Sequence, residues 1–292
     1  MTAPAPSPGT ALAPADERAL LAARGPAPGR RLAQRLPGKI RVALMAWLFF
    51  WFFLGCPVLA LVILPALRLF SRDPRATATR FLNDGLRLVT RAARACGVVD
   101  YADPAPPPSV DRGAPYVLVS NHPTFVDMLL LLGSFPELTC VTSGRWSKHW
   151  ALGPVLRATN YLPGPGSGEA ESDDMLGAMV RHLEAGHPLL VFPEGQRSHP
   201  DRLRRLRRGA VAAAAAANVP IAALFLGIDR PYLIKEVPLS RPPTPAPVYT
   251  FEWLDVVRPE DFDRDPRRIQ RHLEERYAAR FAERRPKQLS LT

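Results

Sequence analysis

Residues 116–133 read YVLVSNHPTFVDMLLLLG. Tyr116 to Ser120 is a short apolar run suited to a buried strand, and the leucine-rich stretch Asp127 to Gly133 suits a helix. Working outward, the same alternation recurs. Further strands are expected at Leu138–Thr142, Pro188–Phe192, Ile221–Leu226 and Val248–Leu254. Helices are expected at Lys148–Ala158, Glu169–Ala185, Arg204–Ala217 and, after an Asp265-Pro266 start, Arg267–Glu283. Short strands alternating with helices specify an α/β layered domain, a central mostly parallel or mixed sheet flanked by helices. The proline clusters at 104–108 and 238–247 read as loops, and no internal repeat is visible.

Upstream of this pattern the composition changes. Residues 1–37 hold seven prolines among Ala, Gly, Ser and Arg, too few large apolar side chains to offset ordering entropy, and read as a disordered leader. Val42 to Leu67 is a run of 26 residues without a charge, with six aromatics between Trp47 and Phe53. That length is enough to span a bilayer core, and it begins too late for a cleaved signal peptide. Basic residues stand on both sides: Arg30, Arg31, Arg35, Lys39 and Arg41 before, Arg68, Arg72 and Arg75 after. Pro57 divides the run, so a hairpin dipping into one leaflet with both ends on the cytoplasmic face accounts for the flanks better than a straight span. The expected organisation is a leader at 1–37, a membrane-anchoring segment at 38–72 and a catalytic domain at 73–292, its informative core at about 110–230.

Asp73 followed by Pro74 marks a helix start, and a helix is expected to run to about Cys96. Arg80, Arg87, Arg91 and Arg94 fall on one face, with Phe81, Leu82, Leu88, Val89, Ala92 and Cys96 opposite. The basic face reads either as solvated or as a contact with anionic lipid headgroups. Over the whole chain Lys plus Arg is 38 against 27 for Asp plus Glu, a net charge of +11, and only four of the cations are lysines. Guanidinium suits bidentate phosphate or carboxylate contact. Cys56, Cys96 and Cys140 form no Cys-x-x-Cys pair, which argues against a disulfide framework or a thiolate zinc site and for a reducing, cytosol-facing compartment.

Two segments carry the chemistry. In the first, His122 leaves the Tyr116 strand and Asp127 follows at a helix start. A carboxylate there can hold one imidazole nitrogen and leave the other facing a cleft, which makes a general base. In the second, Phe192-Pro193-Glu194-Gly195-Gln196-Arg197-Ser198 ends the Pro188 strand. Gly195 lets the backbone approach a ligand, and Arg197 can grip an anionic headgroup. Arginines at 202, 204, 205, 207 and 208 open the next helix against its dipole, a misfit that a docked anion would relieve. His182, His187 and His199 lack metal-ligand spacing and read as surface residues. Trp146 and Trp150 read as core, with the lining of an apolar tunnel as the alternative.

Together these segments resemble the glycerolipid acyltransferase family, whose best-known members acylate lysophosphatidic acid. Asn121, His122 and Asp127 match its first block, and Phe192 through Ser198 its third, with Gln196 where threonine is common. Arg208-Gly209-Ala210 matches a basic residue before Gly-Ala, and Val219-Pro220-Ile221 a strand-opening Val-Pro. One block departs: no arginine follows Leu162, which leaves room for another lysolipid or a lipid-linked hydroxyl or amine in place of lysophosphatidic acid; acylation of glycerol 3-phosphate, a lyso-aminolipid or a glycolipid is the alternative. The resemblance implies an O-acyltransferase of phospholipid biosynthesis, with His122 and Asp127 catalytic. It implies substrate binding by Asn121, Glu194, Gly195, Arg197, Ser198 and Arg208. It further implies an activated acyl group from acyl-CoA or acyl carrier protein, no resident cofactor or metal, and a site on the cytoplasmic face of the inner (plasma) membrane. The partners expected are the lipid substrate, the membrane and, as one of two donors, acyl carrier protein, with no nucleic acid. Neither a Gly-x-Ser-x-Gly elbow nor an ATP-type glycine loop is present. The competing reading of another class is a non-catalytic, basic, membrane-anchored binding protein.

Overall fold

A computed structural model describes residues 37–164, 172–198, 204–230, 232, 243 and 246–284. The leader through residue 36, the expected helix start at 169–171, His199, Arg202 and most of the 238–247 loop lie outside the described residues.

The apolar run is helical throughout. Helix α1 (Gly38–Val58) passes through a π turn, Leu59–Ile63, into α2 (Leu64–Phe70), and no hairpin forms at Pro57. Proline at that point removes one backbone donor, and the wider π turn that follows absorbs the disturbance without reversing the chain. The helix has two unlike sides. Met45, Cys56, Leu59 and Leu64 are buried, and Phe49, Phe52 and Phe53 pack on the core. Trp47, Phe50, Trp51, Leu54, Val58, Leu61 and Phe70 are exposed, Leu61 to 77% and Phe70 to 88%.

Helix α3 (Pro74–Ala95) starts as expected, with the Asp73 carboxylate accepting from the Ala76 N–H at 3.0 Å. Its buried stripe differs from the expected one. Ala78, Leu82, Leu86 and Ala93 are buried together with the polar Thr79, Asn83 and Thr90, whereas Phe81 and Leu88 are exposed. The polar residues sit inside because they have partners there. Asn83 donates to the carbonyls of Pro136 and Leu138 at 3.0 and 2.8 Å and accepts from the Tyr161 hydroxyl at 2.5 Å.

Then follow β1 (Asp100–Tyr101), β2 (Val117–Ser120), α4 (Asp127–Ser134), β3 (Thr139–Thr142), α5 (Gly144–Ser147), α6 (Leu152–Ala158) and β4 (Leu162–Pro163). Next come α7 (Ser172–Glu184), β5 (Leu189–Val191), α8 (Gly209–Ala217), β6 (Ile221–Ile228), β7 (Val248–Val257) and α9 (Pro266–Arg284). The strands form one sheet in the order β1-β7-β6-β2-β5-β3-β4, parallel except where β6 meets β7. This is the expected mixed α/β sheet. Strand β6 is buried along all eight residues, which explains its unbroken apolar sequence. Helices α3 and α4 cross at Gly133, where a Cβ would lie 2.9 Å from the Arg87 Cα.

Two expected helices are shorter. Of the expected Lys148–Ala158 helix only the second part forms, as α6, with a break between it and the single turn α5 that precedes the span, and His149 Nδ1 accepts from the N–H groups of Ala151 and Leu152 at 3.3 and 3.4 Å. The Arg204–Ala217 helix begins only at Gly209, because the preceding N–H groups go elsewhere: Arg204 to the Glu194 carboxylate and Leu206 to Glu274, both at 3.1 Å.

Candidate active site

Parallel strands that end side by side deliver their loops to the same edge of a sheet, where α/β folds place their sites. Strands β2 and β5 are such neighbours. The loop after β2 carries His122, and the loop after β5 carries the Glu194 segment. They are laced together: Ser198 N–H donates to the His122 carbonyl, and His122 N–H donates to Ser198 Oγ, both at 2.7 Å. The Ser198 hydroxyl in turn donates to Glu194 Oε1.

His122 Nδ1 lies 3.0 Å from Asp127 Oδ2. Asp127 is fully buried and also accepts from the Thr124 N–H at 2.6 Å and from the Thr124 hydroxyl. Because Thr124 spends its one proton on Asp127, the Tyr249 hydroxyl 3.2 Å away donates to Thr124 Oγ1. A chain of hydrogen bonds therefore runs from β7 through the loop to the imidazole. Phe192 stacks on the ring, with centroids 4.2 Å apart and planes at 22°. With Nδ1 held by the carboxylate, Nε2 is the ring nitrogen left for the cleft.

The cleft is a cavity of about 590 Å³. Its walls are mainly apolar, from Phe52 and Phe53 on α1 through Leu82, Leu86 and Met128 to Trp146, Leu156 and Met179. Tyr161, fixed by Asn83, and Cys140 also line it, and burial pushes the Cys140 thiol up to about 12. Gly195, Arg197 and Arg207 stand where the cavity meets the second loop. Gly195 has φ +68°, and a Cβ there would come within 2.6 Å of Arg207 Nε, so glycine is required both for the turn and for the guanidinium beside it. The first turn of α8 contributes Gly209 and Ala210 without any side-chain cap.

Residues 104–226 match the family model described as Acyltransferase. The match covers less than half of the chain. Over 126 residues it is 29% identical to mouse (Mus musculus) 1-acyl-sn-glycerol-3-phosphate acyltransferase alpha and 30% identical to the human (Homo sapiens) protein of that name. Each alignment covers 42% of this chain and 44% of the relative, so the chain spans less than half the length of the curated relatives it matches. The crystal structure of the 1-acyl-sn-glycerophosphate (LPA) acyltransferase PlsC from Thermotoga maritima superposes with a TM-score of 0.61 at 19% identity, covering 85% of this chain and 98% of that one. This likeness shows a shared fold.

Within the matched segment the residues singled out from sequence divide into two groups. His122, Gly195 and Arg197 line the cavity. Asn121, Glu194 and Ser198 are committed inside the fold. Asn121 is buried and both accepts from the Leu226 N–H and donates to its carbonyl, at 2.7 and 2.9 Å, clamping the end of β2 to β6. Glu194 is buried, which pushes its carboxyl above the ordinary range, and it accepts from Ser198 and from the Arg204 N–H. Arg208 faces α9, its Nε donating to Gln270 at 3.0 Å, and its neighbour Arg207 occupies the cavity wall instead.

Thr124 and Tyr249 were not singled out by sequence, and Arg207 only as one of five arginines where an anion would dock. Thr124 stands between two motif residues, and Tyr249 lies beyond the family segment on a strand 125 positions away. Trp146 lines the cavity, whereas Trp150 is 74% exposed rather than core. His182 is buried rather than on the surface, its Nε2 2.6 Å from Thr139 Oγ1, and burial with His187 nearby lowers its pKa to about 4.

Proposed function

We propose that the chain is a membrane-associated O-acyltransferase. It moves a fatty acyl group from an acyl-CoA or acyl carrier protein thioester to the hydroxyl of a lysophospholipid, with 1-acyl-sn-glycerol 3-phosphate as acceptor. The observation that carries this reading is the His122–Asp127 pair, 3.0 Å apart, at the arginine-bearing end of an otherwise apolar cavity. Nε2 of His122 takes the acceptor hydroxyl proton as that oxygen attacks the thioester carbonyl. The new C–O bond forms, the C–S bond breaks, and the thiolate recovers the proton from the imidazolium. Asp127 holds the tautomer and stabilises the imidazolium, a contribution of roughly 10² to 10⁴ in rate. Arg197 receives the acceptor phosphate, so the arginine missing after Leu162 is not needed for that charge.

The membrane part of the reading rests on α1 and α2. One helix, Gly38–Ala66, is long and apolar enough to cross a bilayer by length and composition. Its inner side, however, packs on the domain along its length, with Phe49 against Phe125 at 5.8 Å and Phe53 against Trp146 at 6.3 Å between centroids. A helix so occupied lies in the interface with its exposed aromatics in the lipid, rather than crossing the membrane. The lipid acceptor then enters beneath Phe52 and Phe53.

The test is transfer of a labelled palmitoyl thioester by the full-length protein in vesicles to a panel of acceptors. The expected product is phosphatidic acid from 1-acyl-sn-glycerol 3-phosphate. Transfer only to an acceptor without phosphate would overturn the acceptor assignment, and no transfer to any would overturn the reading.

A further inference from the structure

Behind the second loop is another cavity, of about 800 Å³, that shares Gln196 and Arg207 with the His122 cavity. Arg204, Arg205, Arg207 and Arg208 all line it, in a segment that is neither helix nor strand until α8 begins. The backbone of that segment is nevertheless held firmly. Arg207 N–H donates to the Pro193 carbonyl at 2.7 Å, Leu206 N–H to Glu274 at 3.1 Å, and Gln270 Nε2 donates back to the Leu206 carbonyl at 2.8 Å.

Among the wall residues only Glu194 carries an opposite charge, and it acts on Arg204. Among the described residues, none of these four guanidiniums pairs with a carboxylate, and Arg204 Nε is buried without a hydrogen-bond partner. The one acidic side chain in the wall, Glu194, has its oxygens occupied by Ser198 and the Arg204 backbone. Like charges crowded on one wall repel, so four arginines sharing a single nearby carboxylate are arranged for a multiply charged anion.

Shape and position say which anion. The cavity is far larger than one phosphate group and falls in the size range of clefts that hold whole small molecules. No residue of α1 or α2 lines it, whereas Phe52 and Phe53 line the His122 cavity. A lipid headgroup reaches the site from the apolar helix, so this second cavity is the approach for a water-borne substrate.

We infer that the four-arginine cavity binds the phosphorylated nucleotide end of acyl-CoA, with the pantetheine arm passing Arg207 and Gln196 to present the thioester to His122. This deepens the acyltransferase reading and rests on it for the thioester's destination. It makes the nucleotide thioester, rather than an acyl carrier protein, the donor.

The test uses the full-length protein and two readouts. In calorimetric titration, adenosine 3′,5′-bisphosphate binds the wild type, and Arg205→Gln, at an exposed position, weakens that binding roughly 10- to 100-fold, the usual loss for one charged hydrogen-bond pair. In turnover, Arg205→Gln raises KM for palmitoyl-CoA by a similar factor, while KM for palmitoyl-pantetheine, which has no nucleotide, and for the lysolipid stay at wild-type values. Adenosine 3′,5′-bisphosphate competes with palmitoyl-CoA and not with the acceptor. Absence of nucleotide binding, or a KM rise for the lysolipid in place of the donor, overturns the inference. Nucleotide binding that depends on Arg205 in a protein with no transferase activity supports the cavity while overturning the acyltransferase reading.

Discussion

Around His122, the polar groups are answered from within the fold: Asp127 by Thr124 and the imidazole, Thr124 by Tyr249, Asn121 by Leu226. Around Arg205, behind the second loop, the backbone is answered and the charges only in part. The first region is complete before any ligand arrives, which is what a general base needs, since its geometry must not wait on substrate. The second is complete only with an anion in place. On the proposed reading the difference separates groups that do chemistry from groups that hold a substrate, although both lie in one matched segment.

That contrast can be broken at several points. The largest effect is expected from Asp127→Asn, which keeps the shape but removes the charge behind the imidazole: turnover falls on the order of 10² to 10⁴. Steady-state kinetics beside a thermal melt checks this, the melt separating lost chemistry from lost fold. Next is Asn83→Leu, which strands the Tyr161 hydroxyl and the carbonyls of Pro136 and Leu138 beside the cavity floor. Buried groups left unpaired cost about 1–3 kcal/mol each, so three of them at the low end of that range should show in denaturant unfolding as a loss of roughly 3 kcal/mol.

His182 gives an effect of similar or smaller size and a pH signature. Its folded pKa, about 4, lies below the ordinary 6.5, so the unfolded chain binds the extra proton between those values. Stability therefore declines as pH falls from about 6.5 to 4, by up to roughly 3 kcal/mol. His182→Gln should flatten that limb in melts taken across the window. The smallest effect belongs to the border between the regions. Gly195→Ala adds a Cβ at positive φ against Arg207, and a stability loss of about 1 kcal/mol with a raised donor KM is expected.

Strand and helix alternation was legible because each run had its own period and punctuation, and the His122 and Asp127 positions were legible because five residues spanning a strand-to-helix loop bring them together. What stayed hidden depended on contacts between distant segments. Tyr249 reaches Thr124 only through sheet pairing. Arginine is a good helix former, so Arg204 to Arg208 read as helix, but Glu194 and Glu274 draw the local N–H groups out of any helical turn. Once the segment is irregular, adjacent Arg207 and Arg208 face different partners, a choice no periodicity encodes. The break before α6 was hidden because its N–H groups are answered by His149, not by a Ser or Asp. The inner face of α3 was misjudged because Asn83 is buried for its hydrogen bonds, while Phe81 and Leu88 are left outside.

The central claim is that a prebuilt imidazole and carboxylate pair acts as general base on a lipid hydroxyl. It is tested most directly by the initial rate of labelled palmitoyl transfer from palmitoyl-CoA to 1-acyl-sn-glycerol 3-phosphate, comparing wild type with folded His122→Ala. A fall of roughly 10² or more with an unchanged melting temperature is predicted; wild-type turnover in the folded variant would contradict the account.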